Sequence, residues 1–243
     1  MDGVTETTTQ NSLLGESIER VQKRIAAAAI RSKRRAEDVT LVAVSKTHPG
    51  KSVSEAIAFG VKDFGENRVQ EAEEKIPGVG RNAAHWHLIG HLQSNKARRA
   101  VELFDWVHSL DSISLAERLD RICVELDRRY LPVLIQVDLG GEATKTGIEE
   151  PNVRELAAVV RGCERLRLMG LMTLPPFSDD AEEARPYFRR LRELRDEMQS
   201  DGLFGDRAGD LSMGMTHDFE VAIEEGATIV RVGTAIFGER HAH

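Results

Sequence analysis

The chain has 243 residues, 41% hydrophobic and 30% charged, with 33 Lys and Arg against 40 Asp and Glu and a formal charge of −7. That acidic balance argues against a role in wrapping nucleic acid or lying on an anionic membrane, both of which favour a basic excess. Two distant cysteines, Cys123 and Cys163, without a CxxC pair, argue against a disulfide scaffold or a thiolate zinc site and fit a reducing cytoplasm best. No run of about 18 apolar residues exists, so no membrane span is expected. The opening MDGVTETTTQNS is polar and acidic and lacks the form of a signal peptide.

Residues 1–12 read as a disordered tail. Leu14, Ile18, Val21 and Ile25 then recur at helical spacing into Ala26–Ala29, and the helix closes in the basic RSKRR stretch, read as a solvated last turn. From Val39 a rhythm sets in. VTLVAVSK, VKDFG, HWHLIG, WVHSL, PVLIQVDLG, LRLMGLMTL, GDLSMG and TIVRVG have strand character, and each is followed by a helix or helical turn. The helices include a long one from Ser114 to Arg129, one opened by Pro151 and stopped at Gly162, and a charged one from Asp180 to Gln199. Eight alternations in about 200 residues suit an α/β fold of the closed (β/α)8 TIM-barrel type. The expected organisation is therefore a single barrel domain over 13–243 with an extra N-terminal helix. A doubly wound open sheet shares the local pattern, but no GxGxxG follows the first strand.

In such barrels, chemistry sits where strands end. Lys46 follows LVAVS on the face shared by Val42 and Val44. There it is either an amine freed by desolvation to condense with an aldehyde or an ordinary loop lysine. Arg231 interrupts an apolar strand and needs an acceptor. Gly233 and Thr234 open a short helical turn of the kind that binds phosphate, and Ser212 and Gly214 could complete the cup, unless both loops merely turn. An amine, a guanidinium and a phosphate cup together suit an aldehyde bearing a phosphate, and pyridoxal 5′-phosphate (PLP) is such a molecule. His85 and His87 share a strand face, but no third ligand has metal-binding spacing.

The blocks LVAVSKTHP, FGENRVQEAEEK, WHLIGHLQSNK, VHSLDS, IQVDLGGEATKTGI, GLMTLPP and LSMGMTHDFEVAIEEGATIVRVGTAIFGER occur in order. On these the chain closely resembles the pyridoxal phosphate homeostasis protein family, the YggS-like group, from about Ser12 to Arg240. The resemblance implies a barrel like the N-terminal domain of bacterial alanine racemase, with PLP as cofactor and Lys46 as its Schiff-base lysine. It further implies phosphate-binding positions at Ser212, Gly233 and Thr234, an arginine facing the pyridine nitrogen at Arg231, and a polar neighbour at Asn67. Where the family usually reads Met-Ser, this chain has Met215 and Thr216, which keeps a hydroxyl; His217 receives no role.

The function implied is a cytoplasmic PLP-binding protein of intracellular PLP homeostasis. It would hold PLP without efficient turnover and pass it to PLP-dependent apo-enzymes, as a monomer with no nucleic-acid or membrane partner. The alternative is a slow PLP-dependent amino-acid racemase, and a phosphate-binding barrel without PLP is a blander third reading. Racemization needs a second base. Tyr130 and Tyr187 lie on or beside helices, and the chain ends at His243 without room for the racemase's added domain; His48 and His91 are the substitutes in the mouth loops. Lys145, in the loop after the fifth strand, reads as either a transfer residue or an exposed loop lysine.

Overall fold

Alternation along the strands decides which side chains face inward, and parallel pairing decides which strands are neighbours. The structure, a computed structural model, describes residues 2–141 and 146–238, with side chains from Leu13 onward. Lys145 lies outside the described residues. β1 (Thr40–Val44), β2 (Asp63–Glu66), β3 (His85–Leu88), β4 (Trp106–Leu110) and β5 (Leu131–Asp138) pair in parallel in chain order. β6 (Ile148–Glu149) stands outside the ring. β7 (Leu166–Met172) pairs with β5, β8 (Asp210–Met215) with β7, and β9 (Ile229–Val232) with β8 and β1, which closes an eight-stranded barrel.

β6 was not expected from the sequence. It pairs Ile148 and Glu149 with Val137 and Asp138, and Gly147 at φ +141° brings the chain in so closely that a Cβ there would lie 2.8 Å from the Asp138 nitrogen. Only glycine combines that approach with that φ.

Val42, Leu134, Met172 and Ile229 form a small cluster inside the barrel, while Ala43, Phe64, Trp86, Val230 and Val232 belong to the large layer between strands and helices. Full burial of an aliphatic or aromatic side chain is worth roughly 1.5–3 kcal/mol, so the outer layer carries most of the stability. Both cysteines behave as packed groups, and burial pushes each thiol up to about 11.

α1 (Asp2–Arg31) is helical through residues 2–12 as well, where the sequence reads as a tail. Its apolar stripe begins at Leu14 and buries Ile18, Val21, Ile25, Ala28 and Ala29. The basic end of this helix is not simply solvated. Arg34 donates to the carbonyls of Ile223 and Ala227 (3.2 and 2.8 Å), and Arg24 grips Glu220 with two bonds (2.8 and 2.7 Å), fastening α1 to α8 (Phe219–Glu224). Two expected helices are shorter than read. α5 is Ile113–Glu125, ended by Asp127 at φ +46°. The charged helix α7 is Arg185–Ser200, preceded by a tighter turn over Ala181–Ala184.

Arg185 bonds Glu224 (2.8 Å) and Glu225 (3.1 Å), joining α7 to α8. The hydrogen bond from Arg185 is the main cause that holds the Glu224 carboxyl below its ordinary 4.5. For Glu225, burial pushes upward, but Arg189, Arg185 and Arg192 together bring the carboxyl below 4.5. Carboxyls lowered in the folded state contribute stability above their unfolded value, and that stability is lost as pH falls through the folded value. The expected outcome is a stability difference between wild type and Arg185→Met that is constant at neutral pH and shrinks as pH falls below about 4.5. Urea midpoints across pH 3–7 (roughly one point per half unit) measure it; a gap that widens on acidification contradicts it.

Candidate functional site

The C-terminal ends of the strands surround a cavity of about 490 Å³, within the range of roughly 300–1,000 Å³ usual for small-molecule sites. Lys46, Asn67, Arg231, Gly233 and Thr234 all line it, together with Val44, His91, Thr216 and the Leu174–Ser178 loop.

Lys46 lies two residues beyond the end of β1, on a backbone held from both sides. The Ser45 nitrogen donates to the Gly65 carbonyl at 3.1 Å, extending the ladder by one bond. The Ser45 hydroxyl donates to Glu66 Oε1 at 2.6 Å, and Lys75 Nζ donates to the Ser45 carbonyl at 2.7 Å while pairing with the same Glu66 oxygen. Glu66 is fully buried, and that burial raises its carboxyl above the ordinary value against the pull of Lys75. An ion pair this enclosed is weak evidence for stability, but its bonds to the Ser45 hydroxyl and carbonyl restrain the backbone. Here it fixes the peptide that leads to Lys46.

Arg231 is 2% exposed, and its two bonds go to Ser212 Oγ (2.7 Å) and the Thr173 carbonyl (3.0 Å). Among the described residues it makes no ion pair. Burial pushes the guanidinium down to about 10, with Asp218 acting in the opposite direction, so it remains charged at neutral pH.

Immediately beyond β9, Gly233 passes so close to β1 that a Cβ would lie 3.2 Å from the Val44 carbonyl. Neighbouring strands β1 and β9 thus bring the Lys46 loop and the Gly233–Thr234 turn together. Thr216 Oγ1 accepts from the nitrogens of Gly233 (3.3 Å) and Ala235 (3.4 Å). Both bonds are long for N–H···O, so these donors are weakly held and can turn to a better acceptor.

Ser212 is placed differently from the phosphate ligand the sequence suggests. It is fully buried, bonded to Arg231 and His108, and absent from the cavity wall. The cause is the register of β8 on β9. Ser212 pairs with Ile229, but Met215 rather than Gly214 pairs with Arg231, and Gly214 in the slipped interval has φ +90°. The Ile229 pairing sets Ser212 one layer below Arg231, and Thr216, beyond the slip, is the β8-side hydroxyl that lines the cavity.

Asn67 is positioned by contact with Gly90, where a Cβ would lie 2.2 Å from the Asn67 carbonyl oxygen. Gly90→Ala is expected to cost about 1–3 kcal/mol through that overlap. Chemical denaturation measures it, and an unchanged midpoint would show that the two loops separate freely.

Similarity to known proteins decides the family. The family model for the alanine racemase N-terminal domain matches residues 21–241. The pyridoxal phosphate homeostasis protein of Aquifex aeolicus is 44% identical over 225 residues, covering 93% of this chain and 97% of that one. The protein of the same name from Escherichia coli K12 is 42% identical, again over 93% and 97%. The chain belongs to the pyridoxal phosphate homeostasis protein family. PipY of Synechococcus elongatus, solved with PLP bound, is 41% identical with a TM-score of 0.76, covering 90% of this chain and all of that one. Alanine racemase from Corynebacterium glutamicum, 16% identical with a TM-score of 0.70, shares the fold over 96% of this chain and 62% of its own.

The histidines weighed in the sequence take the following places. His217 Nε2 bonds the Asp179 carbonyl at 2.8 Å, and its ring lies 6.1 Å from that of Phe177, which is 80% exposed at the rim. The two loops after β7 and β8 are thereby tied over the cavity. His91 lines the cavity with Nδ1 3.2 Å from Asp111 Oδ2, whereas His48 faces a separate groove with its ring 5.1 Å from Phe237. His85 and His87 both reach Asp63 Oδ1, at 3.0 and 3.1 Å, and no group of three metal-ligating side chains occurs among the described residues. No helix among the described residues is long and apolar enough to cross a membrane.

Proposed function

We propose that this chain binds PLP, attached covalently through Lys46, and serves PLP homeostasis by holding the cofactor and releasing it to PLP-dependent apo-enzymes. The observation that carries this reading is the convergence of one amine, one buried guanidinium and a cup of weakly held N–H and hydroxyl donors on a single cavity. That donor set fits PLP, which needs an amine for its aldehyde, a partner for its ring nitrogen and donors for its phosphate. The names of the curated relatives and the PLP-bound PipY structure support the same reading.

When bound, PLP supplies an aldehyde that condenses with amines and a ring that can withdraw electrons. Lys46 provides the amine on a fixed backbone. Gly233, Ala235, Thr216 and Thr234 provide the anion cup, with Thr216 in the place first suggested for Ser212. Asn67 borders the same space. Arg231 can only donate, so a ring nitrogen set against it accepts a hydrogen bond and stays unprotonated. An unprotonated ring withdraws electrons poorly, which favours holding over turnover.

One observation favours the racemase alternative: His91, oriented by Asp111, offers a base at the cavity wall. Incubating the PLP-loaded protein with L-alanine and other amino acids in deuterated buffer separates the two. The carrier reading predicts stoichiometric PLP binding with Cα exchange no faster than free PLP gives. Exchange at enzyme-like rates, lost in His91→Gln, would establish the racemase reading instead.

A further inference from the structure

A chain of polar side chains crosses the barrel interior from the N-terminal rim to the cavity, and nothing in the proposed function uses it. Asp63, the first residue of β2, stands at one end and Arg231 at the other. Between them Asp63 Oδ1 lies 3.1 Å from His87 Nε2, His87 Nδ1 lies 2.9 Å from His108 Nε2, and His108 Nδ1 lies 2.9 Å from Ser212 Oγ. Ser212 Oγ is 2.7 Å from Arg231 Nη1. His87, His108 and Ser212 are at most 2% exposed.

Donor and acceptor capacity fixes the direction of every bond. A guanidinium only donates, so Ser212 Oγ accepts from Arg231. The single hydroxyl hydrogen of Ser212 then goes to His108 Nδ1, its other neighbour. Complete burial, with the Arg231 charge adding to it, holds His108 well below the ordinary histidine range, so the ring is neutral and its hydrogen is on Nε2. That hydrogen is donated to His87 Nδ1, which places the His87 hydrogen on Nε2, facing Asp63. Burial pushes the Asp63 carboxyl upward, but its bonds to His87 and His85 more than offset this, so it is the anion that ends the chain. The reverse direction would set a bare His87 Nε2 against a carboxylate and leave the Ser212 hydrogen unspent, and unspent polar groups inside a protein are costly.

We infer that Asp63, His87, His108 and Ser212 form a one-way hydrogen-bond relay that anchors Arg231 in the orientation it presents to the cavity. The inference rests on Arg231 being the group that meets the cofactor ring. These four are positioning residues: they touch Arg231 or one another, and none of them lines the cavity, as Arg231 does. The relay gives the isolated guanidinium an anionic terminus at the far rim and a fixed hydrogen-bond polarity between. It also explains why a barrel interior otherwise filled by Val42, Leu134, Met172 and Ile229 carries two buried imidazoles.

Two measurements test it. The first is ¹⁵N-detected two-bond correlation NMR of the histidine rings in the cofactor-free protein. The relay predicts the Nε2–H form at both His87 and His108; an Nδ1–H form at either, or a doubly protonated His87 at neutral pH, overturns it. The second compares Asp63→Leu, Asp63→Asn and His85→Gln for PLP affinity and for the absorbance of the bound cofactor. Removal of the terminal acceptor in Asp63→Leu is expected to weaken PLP binding roughly tenfold and shift the band, as loss of outer partners does for other anchored groups. Asp63→Asn, which keeps an oxygen acceptor, is expected to restore most of both, and His85→Gln, which bonds Asp63 from outside the relay, to leave them unchanged. Equal spectra and affinities for Asp63→Leu and wild type overturn the inference. The NMR experiment needs no cofactor, so a wild-type protein that failed to bind PLP would refute the proposed function while the ring tautomers still decided the relay.

Discussion

Lys46→Ala is expected to abolish the absorbance band of covalently held PLP and to weaken binding on the order of 100-fold, about 2.7 kcal/mol. Among the described residues Lys46 is the one lysine that lines the cavity. Lys75, the lysine closest in the fold to the peptide before Lys46, is buried and engaged with Glu66 and the Ser45 carbonyl. Freeing it would strand the buried Glu66 carboxylate, a change that costs roughly 3–5 kcal/mol. The Lys46 side chain lies at the cavity wall rather than in the core, so thermal stability of the cofactor-free variant should match wild type within about 1 kcal/mol. Absorbance titration and equilibrium dialysis give both quantities. Retention of the band at wild-type affinity would place the covalent link elsewhere.

Arg231→Gln is expected to move the absorbance maximum of the bound cofactor and to destabilise the cofactor-free protein by about 1–3 kcal/mol. Two effects compete in the stability term. Removing a buried charge relieves its desolvation, which is already large enough to pull the guanidinium down to about 10. Against this, glutamine is shorter and cannot span both Ser212 Oγ and the Thr173 carbonyl, so one buried acceptor loses its donor. The second effect dominates because both acceptors are buried. Superimposable spectra of variant and wild type would show that Arg231 lies away from the ring.

The barrel was legible because its rule is local. Segments such as VTLVAVSK and TIVRVG alternate inward and outward side chains, each is followed by a helical pattern, and a closed parallel sheet is the arrangement that hides all of them. Lys46 and Arg231 were legible for the same reason: each is a charged group placed where strand alternation points it into the barrel mouth. Ser212 was misplaced because depth within the barrel depends on register between strands. The pairing of Ser212 with Ile229, and the one-residue slip that follows at Gly214, belong to the meeting of β8 with β9, and LSMGMT read alone reveals neither. A glycine between two hydroxyl residues was the available signal.

The relay escaped the sequence for a related reason. His87 and His108 lie on adjacent strands, and in the sequence His87 pairs by spacing with His85 rather than with His108. Their partners, Asp63 and Ser212, come from strands separated by 149 positions in the chain, from residue 63 to residue 212. Pairing potential between such groups exists only once the ring has closed. The tie between His217 and the Asp179 carbonyl is similar, since it joins two loops whose proximity follows from β7 and β8 being neighbours.

The most direct test of the central claim is to load the wild-type protein with PLP, reduce it with borohydride, digest it and locate the modified residue by mass spectrometry. The account predicts one pyridoxyl group per chain, on the peptide containing Lys46. A label on any other lysine, or none at saturating PLP, would contradict it.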